Sequence, residues 1–113
     1  MTIKRVVELP VGEWLESSDP PLRQFKEAEE LIAHTMVYND HEAGIFHDTG
    51  WRLYKRDDGR YLLYWWSITA PRGWTNTADY VILDDLPVQG TVYEGTRGYK
   101  SPAVPEALVE NSK

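Results

Sequence analysis

A chain of 113 residues, 42% of them hydrophobic, is the size of one domain and long enough to bury a modest core without covalent staples. It has no cysteine, which excludes disulfides, thiolate metal sites and a cysteine nucleophile and fits a reducing compartment. The net charge of −6 opposes general nucleic-acid affinity, and no stretch approaches the roughly 18 consecutive apolar residues that span a bilayer. The amino terminus also lacks the apolar core of a signal peptide, so a soluble, cytoplasmic protein is expected.

Residues 3–9, with β-branched Ile3, Val6 and Val7, read as a short strand that stops at Pro10. Residues 11–15 suggest a helical turn, broken at Ser17, Ser18 and Asp19. Ser18 or Asp19 can then cap a helix whose first turn tolerates Pro20 and Pro21, because their missing N–H groups would have had no intrahelical acceptor. Leu22, Phe25, Ala28, Ile32 and Met36 recur at three- and four-residue steps, an amphipathic stripe that predicts a main helix over residues 20–36. Its other side carries Arg23, Lys26, Glu27, Glu29 and Glu30, which pair at four-residue spacing as a solvated face.

A turn at NDHEAG leads into strands. Residues 50–69, GWRLYKRDDGRYLLYWWSIT, hold three of the five tryptophans and form a central β-hairpin across Asp57, Asp58 and Gly59, Asp-Gly being a strong turn signal. Residues 80–83 read as a short apolar strand and 90–93 as the start of another. The Pro-broken tail, 101–113, is expected to be frayed and flexible or docked through Val104 and Leu108. The predicted architecture is a single α+β domain over residues 1–100, with the helix packed on a mainly antiparallel sheet of four or five strands. Leu22, Phe25, Ile32, Trp51, Leu53, Tyr64, Trp66 and Ile68 form its expected core.

The hairpin is also where charge changes sign. Lys and Arg number four against ten Asp and Glu over residues 1–50, five against two over 51–74, and three against six over 75–113. A two-residue turn at Asp58-Gly59 would set Arg52 opposite Trp65, Tyr54 opposite Leu63 and Arg56 opposite Tyr61 on one face. That face has two readings. In one, the cations lie over the rings as cross-strand pairs contributing about 0.5–1 kcal/mol each. In the other, Arg52, Tyr54, Arg56, Tyr61 and Trp65, extended by Arg72 and Trp74 of the following loop, form a binding platform, since Trp, Tyr and Arg are enriched at binding hot spots.

Candidate chemistry is sparse. His34, His41 and His47 are interleaved with Asp40, Glu42 and Asp48, the ligand types of zinc or a harder ion, but match no established metal spacing. His34 also has a role as a polar residue at the predicted helix end. Asp79, Asp84 and Asp85 read as strand-end turn residues. GTRGYK places two cations near flexible backbone, a faint likeness to a phosphate loop without the following helix. No cofactor, metal site or catalytic residue is assigned. The expected role is a non-catalytic interaction protein that docks a protein partner or its own copy, with nucleic acid disfavoured. The alternative is a small enzyme or small-molecule-binding domain with an aromatic-lined pocket between helix and sheet.

Overall fold

The computed structural model describes residues 7–15, 18–25, 28–39, 46–70 and 75–112. It is a β protein: β1 (Val7–Pro10), β2 (Gly12–Leu15), β3 (Leu22–Phe25), β4 (Ala28–Asn39), β5 (Phe46–Arg56), β6 (Tyr61–Ala70) and β7 (Thr75–Leu83), followed by a six-residue helix, α1 (Glu106–Asn111). The strands make an antiparallel five-stranded sheet in the order β2-β7-β6-β5-β4 and a two-stranded ribbon, β1-β3. The α+β expectation of a helix packed on a sheet is therefore overturned: residues 20–36 contribute β3 and most of β4, and residues 11–15 contribute β2 rather than a helical turn.

The physical reason lies in β4. Its register against β5 slips between Ala28 and Glu30 and again between Leu31 and Ala33, where Leu31 faces Tyr54 and Ala33 faces Leu53. Two slips break the alternation that marks a strand, and apolar residues reappear at helix-like steps. Glu, Ala and Leu favour helix weakly, and the long pairing with β5 overrides that preference. The apolar stripe is not a buried face either. Leu22 is 56% and Met36 48% exposed, whereas Phe25 is buried.

Both faces of the sheet are covered. On one, Leu9, Val11 and Phe25 from the β1-β3 region pack with Tyr54, Leu62, Tyr64, Ala78 and Tyr80. On the other, Trp51, Leu53, Leu63 and Trp65 pack under Val104 and Leu108 of the C-terminal segment. Leu108 and Val104 are 0% and 2% exposed, so the segment supplies core side chains. The chain passes from the ribbon into the sheet at Val11, whose N–H donates to the Pro21 carbonyl at 2.9 Å, followed by Gly12 at φ +114°. An L-residue rarely adopts that φ, so the glycine makes the corner. No helix among the described residues is long and apolar enough to cross a membrane.

Candidate functional site

The site begins with a turn. Arg56 N–H donates to the Arg60 carbonyl at 2.9 Å, and Gly59 N–H to the Arg56 carbonyl at 3.1 Å, closing a three-residue loop with Gly59 at φ +85°. This is the three-residue hairpin connection with a left-handed glycine rather than the two-residue turn expected from Asp58-Gly59. Asp58 fastens it. Its carboxylate accepts from Arg60 N–H at 2.9 Å and from the Arg60 guanidinium at 3.1 and 3.2 Å, and pairs with Arg56 at 3.1 Å. The backbone bond from Arg60, helped by both guanidiniums against the cost of burial, holds the carboxyl below its ordinary pKa.

The extra loop residue shifts the register by one. Trp51 faces Trp65, Arg52 faces Tyr64, Leu53 faces Leu63, and Tyr54 faces Leu62. Because side chains alternate, the residues expected on one platform separate. Arg52 and Tyr54 lie on the face covered by the β1-β3 ribbon, while Tyr61 and Trp65 lie on the face covered by the C-terminal segment. Trp65 is 2% and Tyr54 5% exposed. Arg56 sits at the strand end with Asp58, and its Nε is buried without a partner. Arg72 and Trp74 lie outside the described residues.

What the register does bring together is Arg52 with Trp66. The guanidinium carbon lies 5.7 Å from the Trp66 ring centroid, and the Tyr64 and Trp66 rings are tilted neighbours at 6.0 Å. Trp66 lies flat against Gly50, directly opposite on β5, where a Cβ would fall 1.7 Å from the ring. Only a glycine leaves room for the indole there. Tyr64 donates its hydroxyl to the Pro10 carbonyl at 2.6 Å, stitching the sheet to the ribbon. Burial pushes this hydroxyl above its ordinary pKa, with Arg52 opposing and Tyr54 reinforcing the shift.

Two cavities meet at this pair. One of about 200 Å³ is bounded by Leu9, Pro10, Trp14, Arg52, Tyr64 and Trp66. The other, about 470 Å³, shares Arg52 and Trp66 and continues along β4 past Leu31, His34, Thr35 and Met36, touching Trp51 as well. Together they form a groove across the open part of one sheet face. Arg52 is exposed at the junction, and no carboxylate among the described residues pairs with it. Trp14 and Trp66 carried no special signal in the sequence: Trp14 was read inside a helical turn and Trp66 as core.

On the opposite face sits a charged group of another kind. Asp79 is 0% exposed, yet every contact it makes is with a donor rather than a cation. Its carboxylate accepts from Tyr80 N–H at 2.8 Å, Thr96 hydroxyl at 3.2 Å, Arg97 N–H at 3.0 Å and Tyr99 N–H at 3.1 Å. The loop that resembled a phosphate cradle in sequence thus turns its amides inward to the protein's own carboxylate, as in an anion-binding nest. Gly95 permits the approach, since a Cβ there would fall 2.1 Å from the Asp79 carboxyl carbon. Asp79 is a middle residue of β7, not a strand-end turn residue.

The histidine cluster does not assemble from what is described. His34 pairs across the strands with Arg52 and His47 with Asn39, at distant rungs of the same β4-β5 ladder, and His41 lies outside the described residues. Among the described residues no group of three or more His, Asp or Glu is placed to hold a metal ion. Compared with protein-family models, curated proteins and solved structures, the chain matches none of them.

Proposed function

We propose that this protein is a non-catalytic binding protein whose working surface is the groove around Arg52 and Trp66. The observation that carries this reading is the junction itself. Two cavities of about 200 and 470 Å³ converge on a guanidinium that is stacked on an indole and exposed to solvent. Mostly apolar walls with a few placed polar groups are the usual make-up of a ligand site, and the larger cavity falls within the usual size range of about 300–1,000 Å³. The one phenol in the smaller cavity is engaged by the Pro10 carbonyl, which suits a fixed wall better than a reacting group. Titration with a neutral aromatic probe, 2-naphthalenemethanol, followed by NMR, tests the reading. The indole N–H signals of Trp14 and Trp66 should shift together while that of buried Trp65, which borders neither cavity, stays in place. No shift, or shifts confined to another surface, would remove the site.

A second reading, self-association, is favoured by a different observation. β4 is a twelve-residue edge strand of the sheet and carries Leu31 and Met36 at 46% and 48% exposure. A long edge with exposed apolar side chains is a template for pairing with another copy. Light scattering decides it: a dimer that a Met36→Lys substitution converts to a folded monomer supports edge pairing, and a monomeric wild type removes it.

A further inference from the structure

The charge of the groove narrows its ligand further, and the argument rests on the binding reading above. The chain carries −6 overall, so a surface lined at random would include carboxylates. Among the described residues that bound the two cavities there is none, and the one fixed charge is Arg52. The guanidinium carbon lies over the Trp66 ring, 5.7 Å from its centroid, and no carboxylate among the described residues pairs with it. A contact with a ring face uses none of the five guanidinium N–H donors as hydrogen bonds to oxygen, and those donors match the two oxygens of a carboxylate as a fork. Around it, Trp14, Trp66, Tyr64 and Leu9 offer ring and aliphatic surface within one cavity.

We infer that the groove takes a small organic acid: an aromatic or apolar body lying between Trp14 and Trp66, with its carboxylate on the Arg52 fork. The bound ligand's own apolar body would shield one side of that pair from water and strengthen it relative to a fully exposed surface contact. The arrangement selects against cations and gives neutral analogues only the apolar part of the contact.

The test compares 2-naphthoate with 2-naphthalenemethanol on the full chain, read by the Trp14 and Trp66 indole signals. Naphthoate should bind at least about tenfold tighter, as a charge-assisted hydrogen-bonded contact implies. The advantage should shrink as salt is raised. In Arg52→Gln, confirmed folded by circular dichroism, the two affinities should converge, while Arg52→Lys should keep part of the preference by charge without the fork. Equal binding of the two probes to the wild type overturns this inference and leaves the groove reading standing. A preference that survives in Arg52→Gln also overturns it, since the anion would then be held elsewhere. If neither probe binds, the groove reading falls and this inference falls with it.

Discussion

The two faces of the five-stranded sheet are closed by covers of different quality. Under the C-terminal segment the cover is continuous: Val104 and Leu108 are buried against Trp51, Leu53, Leu63 and Trp65, and the loop at 95–99 wraps the Asp79 carboxylate in donors. On the other face the cover is a ribbon of two four-residue strands, too short to reach the whole sheet. Beyond it, among the described residues, Trp66 and Arg52 border cavities rather than a cover. Each face thus carries one charged side chain in a prominent place, but Asp79 has its partners built in and Arg52 has an aromatic ring and solvent. A buried charge with complete internal partners holds structure together, whereas a stacked, exposed charge beside a cavity has donors left to offer.

That contrast is sharpest in paired substitutions. Asp79→Ala strands the Arg97 and Tyr99 amides in a buried loop and should cost about 2–4 kcal/mol in urea unfolding, at about 1–3 kcal/mol for each buried donor left unsatisfied. Arg52→Ala removes one cation–ring contact at an exposed site and should cost about 1 kcal/mol or less. Comparable losses for the two would mean that Arg52 is a structural residue and that the faces do not differ in the way described. The Asp79 variant should also speed amide exchange through residues 95–99 while leaving the Trp66 indole signal in place.

Tyr64 marks where the ribbon's cover ends, and pH reports how well it seals. Burial raises its hydroxyl above the ordinary value, so the folded state prefers the neutral phenol. The stability this contributes is fully present below the unfolded value of about 10 and is lost as pH rises through it toward the higher folded value. Unfolding free energy should therefore decline above about pH 10, and Tyr64→Phe should decline less steeply. At neutral pH the same variant loses the Pro10 bond and should be less stable by about 1 kcal/mol, so the wild-type advantage narrows as pH rises. Parallel declines would show that water reaches Tyr64 and that the ribbon seals less of this face than the packing implies.

Much of the hairpin was legible in the sequence, and the reason it was not wholly so is specific. The two strands and their connection through Asp57, Asp58 and Gly59 follow from local signals, whereas the expected pairing of Arg52 with Trp65 is replaced by a contact with Trp66. The register was not legible. Residues 61–66, YLLYWW, are apolar without a break because β6 is central in the sheet and covered on both faces, so no alternation fixed the register. A one-residue difference in the turn moved Trp65 into the core and left Trp66 over Gly50. The edge strand β4 failed differently: its register slips imitate a helical period, and only the long-range pairing with β5 reveals the strand. Asp79 was invisible for a third reason. Its partners, Thr96, Arg97 and Tyr99, are backbone and hydroxyl donors about 20 residues away, and sequence spacing does not report where amides point.

The smallest expected effect bears on what sets the register on which the groove depends. Gly59 stands at φ +85°, and a Cβ there would meet nothing within 4 Å, so Gly59→Ala introduces backbone strain without a clash. Its cost should be about 1 kcal/mol, the left-handed penalty of an L-residue, and Gly59→Asn should cost less because its amide side chain tolerates that region. Since Asp58 still gathers Arg56 and Arg60 at the same corner, both variants should keep the native pairing and with it the Trp66 indole environment. A much larger loss, or a Trp66 signal that moves with the turn, would show that the three-residue loop alone keeps Arg52 and Trp66 on one face. The packing of two covered faces would then have less say in the register than the burial of Leu62 and Leu63, both 0% exposed and pointing opposite ways, implies.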